Sequence, residues 1–190
     1  MEKLTDYILT LEHIIPTTLC DNIIKEYQSS KEWIGSTVYL KDDVPITAKD
    51  VRNCTGINMS HKEVIDKNKN IRKLLDNEVF ECAKKSIEEY NKKFKRTCVT
   101  QDTGYNLLRY EPGGFYLEHV DSLLQEPRVI SCSFILNNNF KGGEFSFFDN
   151  KIRYSLNKGS VIMFPSNFLY PHQILPVTEG VRFSIVTWFK

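Results

Sequence analysis

From Thr97 onward the chain is a succession of short runs of β-branched and aromatic residues, cut by Gly113-Gly114, Asn137-Asn138-Asn139, Gly142-Gly143, Asn157-Lys158-Gly159 and Gly180. Strands of a few residues joined by Gly and Asn turns predict a sandwich or jelly roll, not a parallel α/β sheet. The first half reads differently. A strand over 7–15 is followed by Pro16-Thr17-Thr18, which suits a helix start, and Leu19, Ile23 and Tyr27 then share one helical face. Within 62–95, Ile71, Leu75, Val79, Ala83, Ile87, Tyr90 and Phe94 recur at intervals of three or four, the spacing of a second packing helix. Between the helices, Ile34 to Ser60 is long and polar, a loop of the kind that serves as a lid or binding loop. With 190 residues, 41% of them hydrophobic, the chain can bury one core. The expectation is a single domain over 1–190, mainly β with N-terminal helices: 1–96 as helical support and lid loop, 97–190 as the core.

Two histidines and one aspartate carry the chemistry. His119 and Asp121 form an H-V-D step, and His172 lies in Y-P-H-Q after the apolar run 161–164. On a strand over 115–121, residues at i and i+2 share a face, so one strand end can offer two ligands to one metal. A later strand must then bring His172 alongside. Two imidazoles and one carboxylate are the facial set that suits non-haem Fe(II) and leaves positions open for substrate. Arg182 follows His172 by ten residues, in an aromatic-rich run. A guanidinium there would suit an acidic co-substrate whose far carboxylate it can grip through two N–H bonds. Ser184 completes an R-x-S step on the same face, and Trp188, at i+6 from Arg182, is expected to wall the same pocket. His13 and His61 have no acid at ligand spacing that competes with this set.

The stretch 105–189 resembles the catalytic core of the Fe(II)/2-oxoglutarate-dependent dioxygenases, in their prolyl 4-hydroxylase-like branch. The matching words are L-R-Y-E-P-G-G-F-Y-L-E-H-V-D (108–121), F-I-L-N (134–137), G-G-E-F-S-F-F (142–148), G-S-V-I-M-F-P (159–165), P-H-Q-I-L-P-V (171–177) and G-V-R-F-S-I-V-T-W-F (180–189). The resemblance implies a double-stranded β-helix, a cupin-like jelly roll, backed by two or more helices. It implies that His119, Asp121 and His172 hold Fe(II), that Arg182 binds the 5-carboxylate of 2-oxoglutarate, and that Tyr110 assists it. Several relatives place another co-substrate tyrosine where this chain has Ile135. Arg128 matches a recurrent arginine near peptide substrate, or is a strand-edge charge. Arg52, in V-R-N-C-T-G (51–56), is either a substrate-side residue or a surface cation.

The activity so implied is hydroxylation of a peptidyl proline coupled to oxidative decarboxylation of 2-oxoglutarate to succinate and carbon dioxide, with L-ascorbate as supporting reductant. A related oxygenase acting on a free amino acid, another side chain or a small molecule is the alternative. Nucleic-acid demethylases of the family carry a second arginine at the position taken here by Trp188. With 25 basic against 24 acidic side chains, net +1, there is also no electrostatic case for nucleic acid or a membrane surface. The lysine-rich face of the second helix reads as a solvated surface. Five cysteines without a C-x-x-C step suggest reduced thiols, and Met1 to Thr10 lacks the apolar run of a signal peptide. A cytoplasmic location is expected from both; the oligomeric state is left open.

Overall fold

The computed structural model describes residues 2–39, 45–60, 69–122 and 127–190. Its major sheet runs in the order β1 (Leu9–Leu11), β13 (Val161–Pro165), β9 (Ile130–Ile135), β16 (Arg182–Phe189), β7 (Asn106–Tyr110), β6 (Thr55–Asn58) and β2 (Ile34–Gly35). The minor sheet is β12 (Ile152–Tyr154), β11 (Phe145–Phe147), β14 (His172–Ile174), β8 (Phe115–His119) and β5 (Arg52–Asn53). Two small pairs complete the strands, β10 (Lys141–Gly142) with β15 (Val177–Glu179) and β3 (Val38–Tyr39) with β4 (Pro45–Ile46). Neighbours are antiparallel in both main sheets, as a jelly roll requires.

The central strands of the major sheet are buried on both faces, and alternation divides their side chains between two cores. One core lies against the helices α1 (Thr17–Tyr27) and α2 (Lys69–Lys93): Cys132 and Phe134 of β9, Val161 and Met163 of β13, and Phe183, Ile185 and Phe189 of β16 meet Leu19, Ile23, Tyr27, Leu75, Val79, Ala83, Ile87 and Tyr90. The second core lies between the sheets, where Leu108, Tyr110, Ile135, Ile162 and Phe164 meet Phe145, Phe147 and Ile174. Arg72 ties the helices together, bonding Glu26 at 2.9 Å and Glu32 at 2.6 Å.

Three readings of the sequence change. The strand expected over 7–15 shrinks to β1: a 3-10 turn occupies Leu4–Tyr7, and His13 takes a left-handed φ of 56°, bending the chain so that the Ile14 and Ile15 amides both reach the Gly159 carbonyl. The second helix is described only from Lys69, so its expected start and His61 lie outside the described residues. Ile71, placed in the packing stripe, is 48% exposed. Finally, 34–60 is not simply a loop. Its described part carries β2, β5 and β6, which extend both sheets at their edges; strands this short hold no apolar alternation to betray them.

The two-core arrangement can be tested at one residue. Ile185, fully buried on the helix side of β16, when changed to alanine should lower unfolding free energy by about 2–5 kcal/mol. Denaturant midpoints measure this, and metal affinity should stay unchanged because the opposite face of β16 keeps its side chains.

Candidate metal centre and anion pocket

Antiparallel pairing of β8 with β14 sets His119 directly opposite His172. The next paired residues are Tyr116 and Ile174, so β8 has one extra residue over this interval; the bulge returns Tyr116 to the face of His119. The two rings stack with centroids 3.5 Å apart and planes 19° from parallel. Asp121 lies just past the strand end, in a turn held by the Ser122 amide on the Ser166 carbonyl at 2.9 Å.

His119 Nδ1 donates to the Leu117 carbonyl at 2.8 Å and His172 Nδ1 to the Tyr170 carbonyl at 3.1 Å. A carbonyl only accepts, so the ring proton sits on Nδ1 and the Nε2 lone pair is free. Both Nε2 atoms face Asp121: His119 Nε2 is 3.6 Å from Oδ1 and His172 Nε2 is 3.6 Å from Oδ2. One ligand atom from each residue lies within 4.8 Å of the other two. Burial would raise the Asp121 carboxyl, but the facing imidazoles and the Ser131 hydroxyl outweigh it and hold the group well below the carboxylate range. Burial, reinforced by His119 and opposed by Asp121, pushes His172 down to about 4. A neutral imidazole beside an ionised carboxylate is the protonation state that a metal ligand needs, and this N₂O donor set fits Fe(II).

Ser131 Oγ donates to Asp121 Oδ2 at 2.6 Å, which obliges Ser166 Oγ, 2.8 Å away, to donate in turn to Ser131. Neither serine was singled out from the sequence. The signal was there in I-S-C-S-F-I, where Ser131 and Ser133 recur with period two in a wholly buried strand. Tyr116 was missed because only the bulge brings it to the His119 side.

Beyond the triad, Arg182 is 1% exposed, and its Nη1 donates to Ser184 Oγ at 2.8 Å. The guanidinium carbon is 5.2 Å from the Tyr110 ring centroid and 5.5 Å from that of Phe145. Its Nη2 is buried with no partner, and no carboxylate pairs with it among the described residues. Burial lowers the Arg182 pKa against the opposing effect of Tyr110, and burial raises that of Tyr110. An orphaned guanidinium N–H in such a place fits an incoming carboxylate. Gly143, at φ +69°, makes room for Arg182: a Cβ there would sit 2.9 Å from Arg182 Cδ. Ile135 lies across β16 from this end, paired with Ser184, and presents an apolar wall.

One cavity of about 390 Å³ is lined by His119, Asp121, His172, Arg182, Tyr110, Ser184, Trp188, Arg128 and Arg52, so every residue singled out from the sequence meets here. Ser184 accepts from Arg182 and so orients the guanidinium. Arg128 lies just before β9, lays its guanidinium 3.7 Å from the Trp188 ring centroid and donates to the Asp121 carbonyl at 3.4 Å.

Residues 105–190 match the family model described as the 2OG-Fe(II) oxygenase superfamily. A PKHD-type hydroxylase of Rippkaea orientalis is 37% identical over 91 residues, 43% of this chain, and one of Aliarcobacter butzleri is 33% identical over 94 residues. These alignments span only 40% and 41% of the length of those relatives. Among solved structures, a prolyl hydroxylase of Trichoplax adhaerens in complex with a hypoxia inducible factor peptide fragment superimposes with a TM-score of 0.75 at 18% identity, over 97% of this chain and 84% of that one. A viral collagen prolyl hydroxylase of Paramecium Bursaria Chlorella virus-1, in its 2OG complex, does so at 0.68 and 18%, over 96% and 95%. The jelly-roll fold is that of prolyl hydroxylases.

Two measurements probe the centre. Ser131→Ala should weaken Fe(II) binding in anaerobic titration by roughly 10–100-fold, the usual effect of losing a hydrogen bond that orients a ligand. The second is a pH dependence. Between pH 6.5 and about 4 an unfolded His172 takes up a proton that the folded one refuses, so metal-free protein should lose stability as pH falls through that window and be flat above it. At about 1.4 kcal/mol per pH unit the loss reaches up to about 3 kcal/mol. His172→Asn should show a shallower decline in denaturant midpoint over the same range.

Proposed function

We propose that this chain, whose residues 105–190 match the 2OG-Fe(II) oxygenase superfamily, hydroxylates proline in a polypeptide with dioxygen as the oxidant, one oxygen atom entering the substrate and the other the succinate formed, with carbon dioxide, from 2-oxoglutarate. The observation that carries the oxygenase reading is the conjunction, in one cavity, of the His119–Asp121–His172 ligand set with an Arg182 guanidinium whose Nη2 has no partner. The choice of proline is supported by the prolyl hydroxylase fold of the neighbours, one of which is described in complex with a peptide fragment.

In this proposal the three ligands hold Fe(II) through two Nε2 atoms and one carboxylate oxygen, and Ser131 keeps the carboxylate from turning. Arg182 binds the far carboxylate of 2-oxoglutarate, Ser184 fixes the guanidinium, and Tyr110 lies over it. Bound iron and 2-oxoglutarate would together activate dioxygen, the oxidant that a C–H bond requires. The protein's part is positioning and exclusion of water: Phe145, Phe147 and Phe164 crowd His172, with ring centroids 6.4, 5.6 and 4.6 Å away, and make the metal side apolar. The Arg128–Trp188 stack forms the wall beside Asp121. L-Ascorbate belongs to the same proposal as the reductant that sustains turnover.

The test is mass spectrometry of a panel of proline-containing peptides incubated with protein, Fe(II), 2-oxoglutarate and ascorbate. A mass gain of one oxygen on proline, with stoichiometric succinate, is expected; turnover of free amino acids with no action on any peptide would move the assignment to a small-molecule oxygenase. The co-substrate pocket has its own test. In this proposal the Tyr110 hydroxyl donates to the same carboxylate; a hydrogen bond to a charged group contributes about 1.5–3 kcal/mol, so Tyr110→Phe should raise the KM for 2-oxoglutarate by roughly ten- to a hundredfold. Arg182→Ala should raise it further, because the buried carboxylate loses its counter-charge. An unchanged KM in the arginine variant overturns the pocket assignment.

A further inference from the structure

Arg52 is the second guanidinium of the cavity that no carboxylate pairs with among the described residues. Antiparallel pairing of β5 with β8 sets it opposite Tyr116, and its guanidinium carbon lies 4.5 Å from that ring's centroid. The same ring stacks on His119, so guanidinium, phenol ring and metal-ligating imidazole are linked in sequence at the cavity wall. Arginine carries five N–H donors in a fixed fork. Here Nη1 donates to the Thr37 carbonyl at 3.0 Å, while Nε is buried with no partner. Among the described residues, Arg52 makes no ion pair with any carboxylate.

The cavity wall is therefore short of negative charge. Asp121 is committed to the metal side, between two imidazoles and a serine hydroxyl. In the proposed function, the far carboxylate of 2-oxoglutarate answers Arg182. Among the described residues no carboxylate answers Arg52, and a half-buried guanidinium is stabilised most by a carboxylate that its fork can hold through two bonds. The near-neutral chain, net +1, makes this a local demand and not part of a polyanion-binding surface.

We infer that Arg52 is an anion subsite for the substrate: the polypeptide presents a carboxylate, from an Asp or Glu beside the target residue, to the guanidinium stacked on Tyr116. This rests on the peptide reading above and adds a charge rule to it. A peptide carrying such a carboxylate is held on the β5 edge of the cavity, while a lysine at the same place meets a fixed like charge.

The experiment compares proline-containing peptides that differ only in having Glu, Gln or Lys one or two residues from the proline, all with blocked ends, in wild type and in Arg52→Gln. Both kcat/KM and direct affinity for the metal- and 2-oxoglutarate-loaded protein are read, the latter by calorimetry. The Glu peptides should be favoured over Gln by about tenfold and over Lys by more, and Arg52→Gln should erase the difference with the 2-oxoglutarate KM unchanged. A free-acid Gln peptide ending near the proline distinguishes a C-terminal carboxylate from a side-chain one; its preference over the blocked Gln form would keep the anion subsite and assign it to chain ends. Peptides turned over without regard to charge, or a preference that survives in Arg52→Gln, overturn the inference alone. If no peptide of any charge is bound or turned over, the peptide reading falls and the inference with it.

Discussion

The pairing of β8 with β14 is the constraint on which the rest of this site depends. Residues 119 and 172 are far apart in the chain, yet antiparallel register brings their imidazoles together, with centroids 4.3 Å apart and planes tilted by 51°. Hydrogen bonds from each Nδ1 to a carbonyl of the same strand region then fix the tautomer. The backbone thus decides which nitrogen is offered. The third ligand is placed differently, by a turn and two serines, so the carboxylate rests on side-chain bonds where the imidazoles rest on the sheet.

Charge shows the complementary constraint. Arg182 and Arg52 are held in the cavity by aromatic faces, a hydroxyl and a carbonyl, none of which neutralises them. Such groups are costly in an isolated protein and become favourable when anionic molecules enter. Preorganisation here means that, among the described residues, both cations stand without a carboxylate partner in a cavity that an anion can enter.

Much of this was legible in the sequence, and the reasons for the rest are physical. The turns at Gly113-Gly114, Asn137-Asn138-Asn139 and Gly142-Gly143 announced short strands, and the H-x-D, His and Arg order announced the pocket. The alternation of Ser131 and Ser133 was readable but passed unnoticed, since in a strand buried on both faces polar residues look like interruptions. Tyr116 could not be read at all: a bulge changes which residues share a face, and nothing local in F-Y-L-E-H marks it. The strands β2, β5 and β6, which extend the two sheets, escaped for the opposite reason. They form because neighbouring strands offer unpaired backbone groups, while their own residues carry little β pattern.

The double use of β16 limits how a chain of this kind can diverge. Its even-numbered residues Arg182, Ser184 and Trp188 face the cavity and its odd-numbered residues Phe183, Ile185 and Phe189 face the helices. Inserting or deleting a single residue within the strand would turn the cavity side chains into the helical core and the aromatic ones into the cavity, destroying chemistry and packing in one event. Length changes are therefore confined to the connections, and within the strand evolution can act only by substitution. Changes on one parity alter what is bound; changes on the other alter how firmly the protein holds together.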